Sequence, residues 1–463
     1  MRGIFDGLLA QLEEVRIAAP IGRVTAVSGS TLRATGLESL ARQGDRVMID
    51  GRMSGEVIAL NGDGLLIMAD GVADGIVLGA DVRLLGAAEI APDDSWIGRI
   101  VDPYGQPLDG RPLFRGMQAR PLRAQAPPAA QRRRLGARLA TGVAVFDTML
   151  PLVRGQRIGL FAGSGVGKSS LLAKFARGVE ADIVVIALIG ERGRELREFV
   201  EHVLGPKGMA RAVVITATSD QSALVRRRCA GAAMAVAEYF RDQGRHVLLL
   251  ADSITRFAEA HREVALAAGE TASMRGFPPS VAHAIMSLAE RSGPGIDMNN
   301  GQGGDITAVF TVLVAGSDME EPIADILRGV LDGHVVMDRA IAERGRFPAV
   351  DLLRSISRSL PEAASLAENK LIGKARQLLG AWDRSEMMIQ AGLYAKGSDP
   401  LVDAAISLWP QLDAFLAEDA AAGVQESFER LAKILGAQSP YVESDVHKST
   451  EIGVARAIFE NQV

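Results

Sequence analysis

Residues 159–170 read Gly-Leu-Phe-Ala-Gly-Ser-Gly-Val-Gly-Lys-Ser-Ser. An apolar run enters a glycine-rich turn, and Lys168, Ser169 and Ser170 follow before Leu171, Leu172 and Phe175 fall at helical spacing. That is the order strand, phosphate loop, helix. The backbone of Ala162, Gly163, Ser164, Gly165, Val166 and Gly167 can curl until its N–H groups face inward and cradle phosphate oxygens. The N-terminus of the following helix adds a partial positive charge. In such a cradle Lys168 reaches the β and γ phosphates of a nucleotide, and the Ser169 hydroxyl holds Mg²⁺. Ala162 stands where the general pattern has a glycine, and alanine is small enough to keep the loop.

Hydrolysis of a nucleotide also needs an anchor for the metal, a group that orients water, and positive charge for the transition state. The run Val247-Leu-Leu-Leu-Ala-Asp252 is an apolar strand ending in an acid. Its carboxylate should emerge at the sheet edge that carries the phosphate loop, where it would hold Mg²⁺ through a water. The competing reading is an acid that caps the next helix. A second strand, Ile186-Ala-Leu-Ile, runs into Gly190-Glu191-Arg192-Gly193-Arg194-Glu195. Glu191 is the candidate to polarise the attacking water, and Arg192 would position it or contact a neighbour; a solvated, charged helix start explains the same residues equally well. Composition alone assigns no role to Pro348–Arg358.

These groups must be carried by a chain of 463 residues, too long for a single core. With 48% hydrophobic and 23% charged residues the composition is that of a globular protein. A net charge of −5 and an aromatic content of 5% argue against nucleic acid as the main partner. The lone Cys229 excludes an internal disulfide and reads as structural. No signal peptide is evident, and no apolar run reaches the roughly 18–20 residues that span a bilayer, so a cytoplasmic location is expected.

Five segments are expected. Residues 1–19 place Ile4, Phe5, Leu8, Leu9, Leu12 and Val15 on one helical stripe, which either packs on the next domain or docks a partner or membrane surface. Residues 20–88 hold short alternating strands, with Asn61-Gly-Asp-Gly as a hairpin signal, and predict a small β-barrel. Residues 89–361 open with a turn-rich transition whose basic run, Arg132-Arg133-Arg134, reads as a solvated loop or a contact with a neighbouring subunit. They continue as apolar strands alternating with helices, the pattern of a mainly parallel sheet covered on both faces. Residues 362–436 predict helices on either side of the Lys396–Pro400 turn, and 437–463 a tail of uncertain order.

Taken together, the loop, Gly190–Glu195, Asp252-Ser-Ile-Thr-Arg-Phe and Pro348–Ser357 resemble the rotary-type ATPase family. The resemblance runs from about residue 20 to 436 and is nearest to the ATPases of type III protein export, in their flagellar branch. It implies a multidomain fold with an N-terminal β-barrel, a central RecA-like α/β domain and a C-terminal helical domain. It also implies a Mg²⁺-dependent ATPase working as a homohexameric ring, with Glu191 and Lys168 catalytic, Arg192 beside them, and Arg358 an arginine finger reaching into the neighbour's site. Implied partners are a stator-like regulator at the N-terminal helix, a coiled-coil stalk near Lys396–Pro400, export substrates with their chaperones, and the membrane export gate on the inner face of the cytoplasmic membrane. The virulence-type secretion ATPase is the alternative within this class. No tyrosine closely follows Arg358, so the adenine pocket stays unassigned.

Two further classes compete. A non-catalytic ring subunit would lack the glutamate, and Glu191 is present. A hexameric RNA translocase would want a basic, aromatic barrel, and residues 20–88 contain neither Tyr nor Trp.

Overall fold

A computed structural model of the chain describes residues 12, 18–297, 303–314, 319–420 and 422–441. The helix expected over 1–19 and the tail beyond Tyr441 therefore lie almost wholly outside the described residues. Six short strands come first: β1 (Ile21–Ser28), β2 (Thr31–Thr35), β3 (Arg46–Ile49), β4 (Met53–Asn61), β5 (Gly64–Ala69) and β6 (Asp81–Gly86). They close into an antiparallel barrel in the order β1-β2-β5-β4-β3-β6, with β6 pairing back onto β1. Alternate residues fill it, among them Leu32, Val47, Ile49, Val57, Ile67 and Val82. The Asn61–Gly64 turn joins β4 to β5. Gly64 lies at φ +112, and a Cβ there would collide with the Ala34 carbonyl oxygen, so this hairpin requires glycine.

The chain then forms β7 (Arg99–Val101), β8 (Arg157–Ala162), α1 (Lys168–Gly178), β9 (Ile183–Glu191), α2 (Gly193–Glu198), β10 (Ala212–Thr218), α3 (Ala223–Arg241), β11 (His246–Asp252), α4 (Ile254–Ala267), α5 (Pro279–Arg291) and β12 (Asp305–Leu313). Strands β8, β12, β11, β9, β10 and β7 lie side by side in that order, all parallel. Val184 through Leu188 are buried in succession because helices cover both faces of the sheet. Cys229 is buried in α3, and burial pushes its thiol well above the usual range, as a structural cysteine requires.

Two features differ from the sequence reading. Arg99–Val101, within the turn-rich transition, is an edge strand on β10; a three-residue strand is too short to show a period. The basic run is not simply solvated. Arg132 donates to the Glu290 carbonyl oxygen (2.6 Å), and Arg133 pairs with Asp305 (2.6 Å).

Compact packing divides the chain into two units. The first holds the barrel and the parallel sheet, from residues up to Gly136, Arg154–Ser164 and Ala181–His334. Within it Ile58 and Met68 of the barrel pack on Ala223, Leu224, Ala260 and Val264. The second comprises Ala137–Val153, Gly165–Glu180 and the chain from Val335 onward. The chain continues through α6 (Pro322–Val330) in the first unit and β13 (Gly333–Met337), then β14 (Val350–Ser357), α7 (Leu366–Gln390), α8 (Pro400–Ala417) and α9 (Val424–Ile434) in the second. Phe146 meets Phe175 of α1 edge to face at 4.9 Å. Ser365 and Glu368 form a reciprocal capping box that starts α7, Asp399 caps α8, and Trp382 stacks on Trp409 between the two helices. Among the described residues no helix is long and apolar enough to cross a membrane.

Candidate active site

Parallel pairing brings the C-terminal ends of all the central strands to one edge. β8 ends at Ala162, opposite Leu313 of β12. On the other side of β12, Phe310 faces Ala251 of β11, and Asp252 in turn faces Leu188 of β9. Two strand spacings, about 10 Å, thus separate the exit of β8 from Asp252. Glu191 lies three residues beyond Leu188 on the next strand. An edge of this kind is where open α/β sheets bind ligands.

Ala162 is still in strand geometry, paired and buried, so its position has no need of glycine. The chain leaves the first unit after Gly163 and Ser164. Gly165 (φ +78) and Gly167 (φ +83) follow in left-handed conformations, with Val166 buried between them. α1 begins at Lys168 directly behind Gly167, so Ser169 and Ser170 occupy its exposed first turn.

Asp252 is 3% exposed and accepts a hydrogen bond from Thr311 Oγ1 at 2.7 Å. It does not cap the next helix: the Ser253 hydroxyl accepts from the Arg256 N–H and starts α4. This arrangement removes the capping role from Asp252. The carboxylate of Asp252 and the hydroxyl of Ser169 are hard oxygen donors, the chemistry that suits Mg²⁺. Among the described residues no group of three His, Cys, Asp or Glu could hold a metal. An ion held through Asp252 would draw its remaining ligands from water and substrate phosphates, as Mg²⁺ does.

Glu191 ends β9 beyond an irregularity in the pairing with β10. Gly190 creates it at φ +70, where an added Cβ would press on Arg256 Cβ at 3.3 Å. Glu191 is half-buried at the strand end, while Arg192, its side chain 80% exposed, pairs with Glu195 at 3.0 Å. A hydrogen bond with Glu191, followed by the nearby Arg192 and Arg194, holds the Glu195 carboxyl below its ordinary value. Arg358 follows β14 in the second unit with its side chain exposed.

Three residues escaped the sequence reading. Thr311 was legible as a hydroxyl inside an apolar strand. Arg256 is the basic residue that packs over Gly190. Phe347, 48% exposed, lies with its ring 3.0 Å from where a Cβ on Gly167 would stand. An exposed aromatic before Pro348 was the only signal of it in the sequence.

Residues 142–357 match the nucleotide-binding domain of the ATP synthase alpha/beta family, and residues 364–433 match the T3SS EscN ATPase C-terminal domain. The flagellum-specific ATP synthase of Caulobacter vibrioides is 45% identical over 94% of this chain and 99% of its own length. The chain belongs to the ATP synthase alpha/beta family. It is an ATP-binding member among relatives that are ATPases. The type 3 secretion system ATPase of Pseudomonas syringae pv. tomato is 42% identical, covering 92% of this chain and 95% of that protein. The solved structure of the assembled ATPase EscN with its central stalk EscO, from the enteropathogenic E. coli type III secretion system, is similar with a TM-score of 0.81 and 35% identity. It covers 89% of this chain and 100% of that one. Both family matches and these relatives agree with the barrel, parallel sheet and terminal helices described above.

Proposed function

We propose that the chain hydrolyses ATP in a homohexameric ring and thereby energises the export of flagellar proteins. The observation that carries this reading is the convergence of Ala162, Asp252 and Glu191 on one edge of a parallel sheet, in a member of this ATPase family. ATP lies with its β and γ phosphates in the Ala162–Ser170 loop, contacted by loop N–H groups and Lys168. Phe347 supplies a flat apolar face beside that loop for the base. Glu191 accepts a hydrogen bond from the attacking water and orients its lone pair toward the γ phosphorus; the bond to the β–γ bridging oxygen breaks, leaving ADP and phosphate. Ser169, and Asp252 through a water, would hold Mg²⁺, which when bound neutralises charge developing on the phosphates. Arg192 steadies the acidic pair from its exposed side. Arg358 reaches from one copy into the site of the next, a role typically worth about 10³–10⁵ in rate.

The ring and a stalk near Lys396–Pro400 draw support from the assembled, stalk-bound EscN. The other partners, which are a regulator at the N-terminal segment, export substrates with chaperones, and a membrane gate on the cytoplasmic face, follow from the flagellar reading. The similarity to the Pseudomonas syringae enzyme favours one second reading, a virulence-type secretion ATPase.

Replacing Lys168 by Ala in the chromosome separates the two. Loss of filaments with contact-dependent secretion intact is the expected result. Normal filaments with lost secretion would assign the protein to the virulence system. Specific ATPase activity should also rise with protein concentration; a flat profile down to a demonstrated monomer would remove Arg358 from the neighbour's site.

A further inference from the structure

A cavity of about 550 Å³ lies within the first unit, between the barrel and helices α3, α4 and α5, and ATP hydrolysis makes no use of it. Its size falls in the range of small-molecule sites, and it lies where two folded parts meet, a usual place for them. Most of the wall is carbon, from Ile58, Phe257, Val264, Ala265 and Leu288.

Charge gathers at one end of it. Glu56, 5% exposed, accepts from Arg123 (2.8 Å), Arg227 (2.6 Å) and Arg228 (3.3 Å). One carboxylate thus bonds three guanidiniums, and Arg228 also lies in the field of the Asp70 and Asp102 carboxylates. Arg228 is 6% exposed and stacks on the Tyr104 ring at 4.6 Å. Its Nε and Nη1 are buried without a hydrogen-bond partner. Burial also presses the Arg227 guanidinium below its ordinary proton affinity, against the pull of Glu56.

The opposite wall carries no competing positive charge. Ser280 donates its hydroxyl proton to Glu270 (2.6 Å), so His261 Nε2, 3.0 Å from the same oxygen, must be the donor of that second bond. Burial and the neighbouring Arg227 and Arg123 keep the imidazole neutral, with its proton affinity pushed down to about 4 despite Glu270.

We propose that this cavity binds a small apolar monoanion, its aromatic or aliphatic body on the Ile58–Phe257–Val264 wall and its acidic group against Arg123 and Arg227. Charge-assisted bonds to guanidinium are the strong ones, and Arg123 and Arg227 each give Glu56 a single Nη2 bond, so a sulfonate or carboxylate would engage their remaining donors.

The test uses the full chain with its nucleotide sites saturated by ATP. Two fluorescent probes of matched body are compared: 8-anilinonaphthalene-1-sulfonate and the neutral N-phenyl-1-naphthylamine. The sulfonate should bind once per chain and at least about tenfold more tightly than the neutral probe, and sodium decanoate should displace it competitively. Ala265→Phe and Ala284→Phe, which fill the cavity from different helices, should each weaken sulfonate binding by about tenfold or more while melting temperature and ATP turnover hold. Equal affinity for both probes overturns the proposal. So does undiminished binding in the filled variants. If a filled variant fails to fold, the neutral probe and decanoate decide, and failure of decanoate to compete overturns it as well.

Discussion

Asp252 and Glu191 both end strands of the same sheet, yet the fold treats them oppositely. Asp252 continues its strand without irregularity, is buried, and is held by Thr311 on the neighbouring strand. Glu191 stands past a break in the pairing, half-buried, with Glu195 as its hydrogen-bonding neighbour. A group that anchors a metal profits from being fixed before the substrate arrives. A group that must align a water profits from freedom to turn as the site closes, since such bonds often tighten only in the complex. In the proposed mechanism the two acids would divide the work between a rigid post and an adjustable one.

Three substitutions test that division. The largest effect is expected from Glu191→Gln. It should lower turnover by about 10²–10⁴-fold and leave ATP binding near wild type, measured with a fluorescent analogue alongside single-turnover hydrolysis; unchanged turnover would remove Glu191 from the reaction. Thr311→Val should strike the fixed acid instead. Removing one hydrogen bond to a buried carboxylate costs about 1–3 kcal/mol, and loosening a metal's supporting shell weakens affinity by about 10–100-fold. The Mg²⁺ concentration for half-maximal activity should therefore rise at least tenfold by that rule, and an unaltered Mg²⁺ requirement would mean that Thr311 does not fix Asp252. Gly190→Ala should be milder in stability but should disturb the adjustable acid: a Cβ at φ +70 costs about 1–2 kcal/mol and presses on Arg256. Thermal melting reads the first effect and kcat the second. If kcat is unchanged while stability falls, the irregularity serves folding alone.

The contrast between the acids was only partly legible beforehand. Strand-then-acid patterning placed both at strand ends, because an apolar run fixes where a strand stops. The exit of Asp252 beside Thr311 was not legible, since that contact crosses 59 residues and depends on the register of β11 and β12. That Asp252 leaves the helix cap to its neighbour was not legible either, since it depends on one hydroxyl, Ser253, whose rotamer no spacing reveals. The barrel was readable from alternation and from the Asn61–Gly64 hairpin. Arg99–Val101 was not, because its pairing with β10 is dictated by the sheet edge and not by its own residues. Phe347 shows the same limit: its place beside Gly167 is a tertiary fact, 180 positions away in sequence by residue number.

The smallest predicted effect bears most directly on how the adjustable acid is held. Glu191 is the neighbour that acts most strongly in holding the Glu195 carboxyl below its ordinary value, ahead of Arg192 and Arg194. A depressed carboxyl contributes stability that is present above its unfolded value, near the ordinary 4.5, and is lost as pH falls through its folded value. Because Glu195 is largely exposed, the loss should appear as a slight drop in urea midpoint below that pH and as nothing measurable at pH 7. Glu191→Gln keeps a permanent N–H donor at the site, so the Glu195 titration, followed by carboxyl ¹³C NMR, should stay low. Glu191→Ala removes that neighbour and should let it climb toward the ordinary value, leaving only Arg192 and Arg194 to hold it down. An identical Glu195 titration in the two variants would show that the arginines alone set it, and Glu191 would then have no partner in Glu195 to steer it.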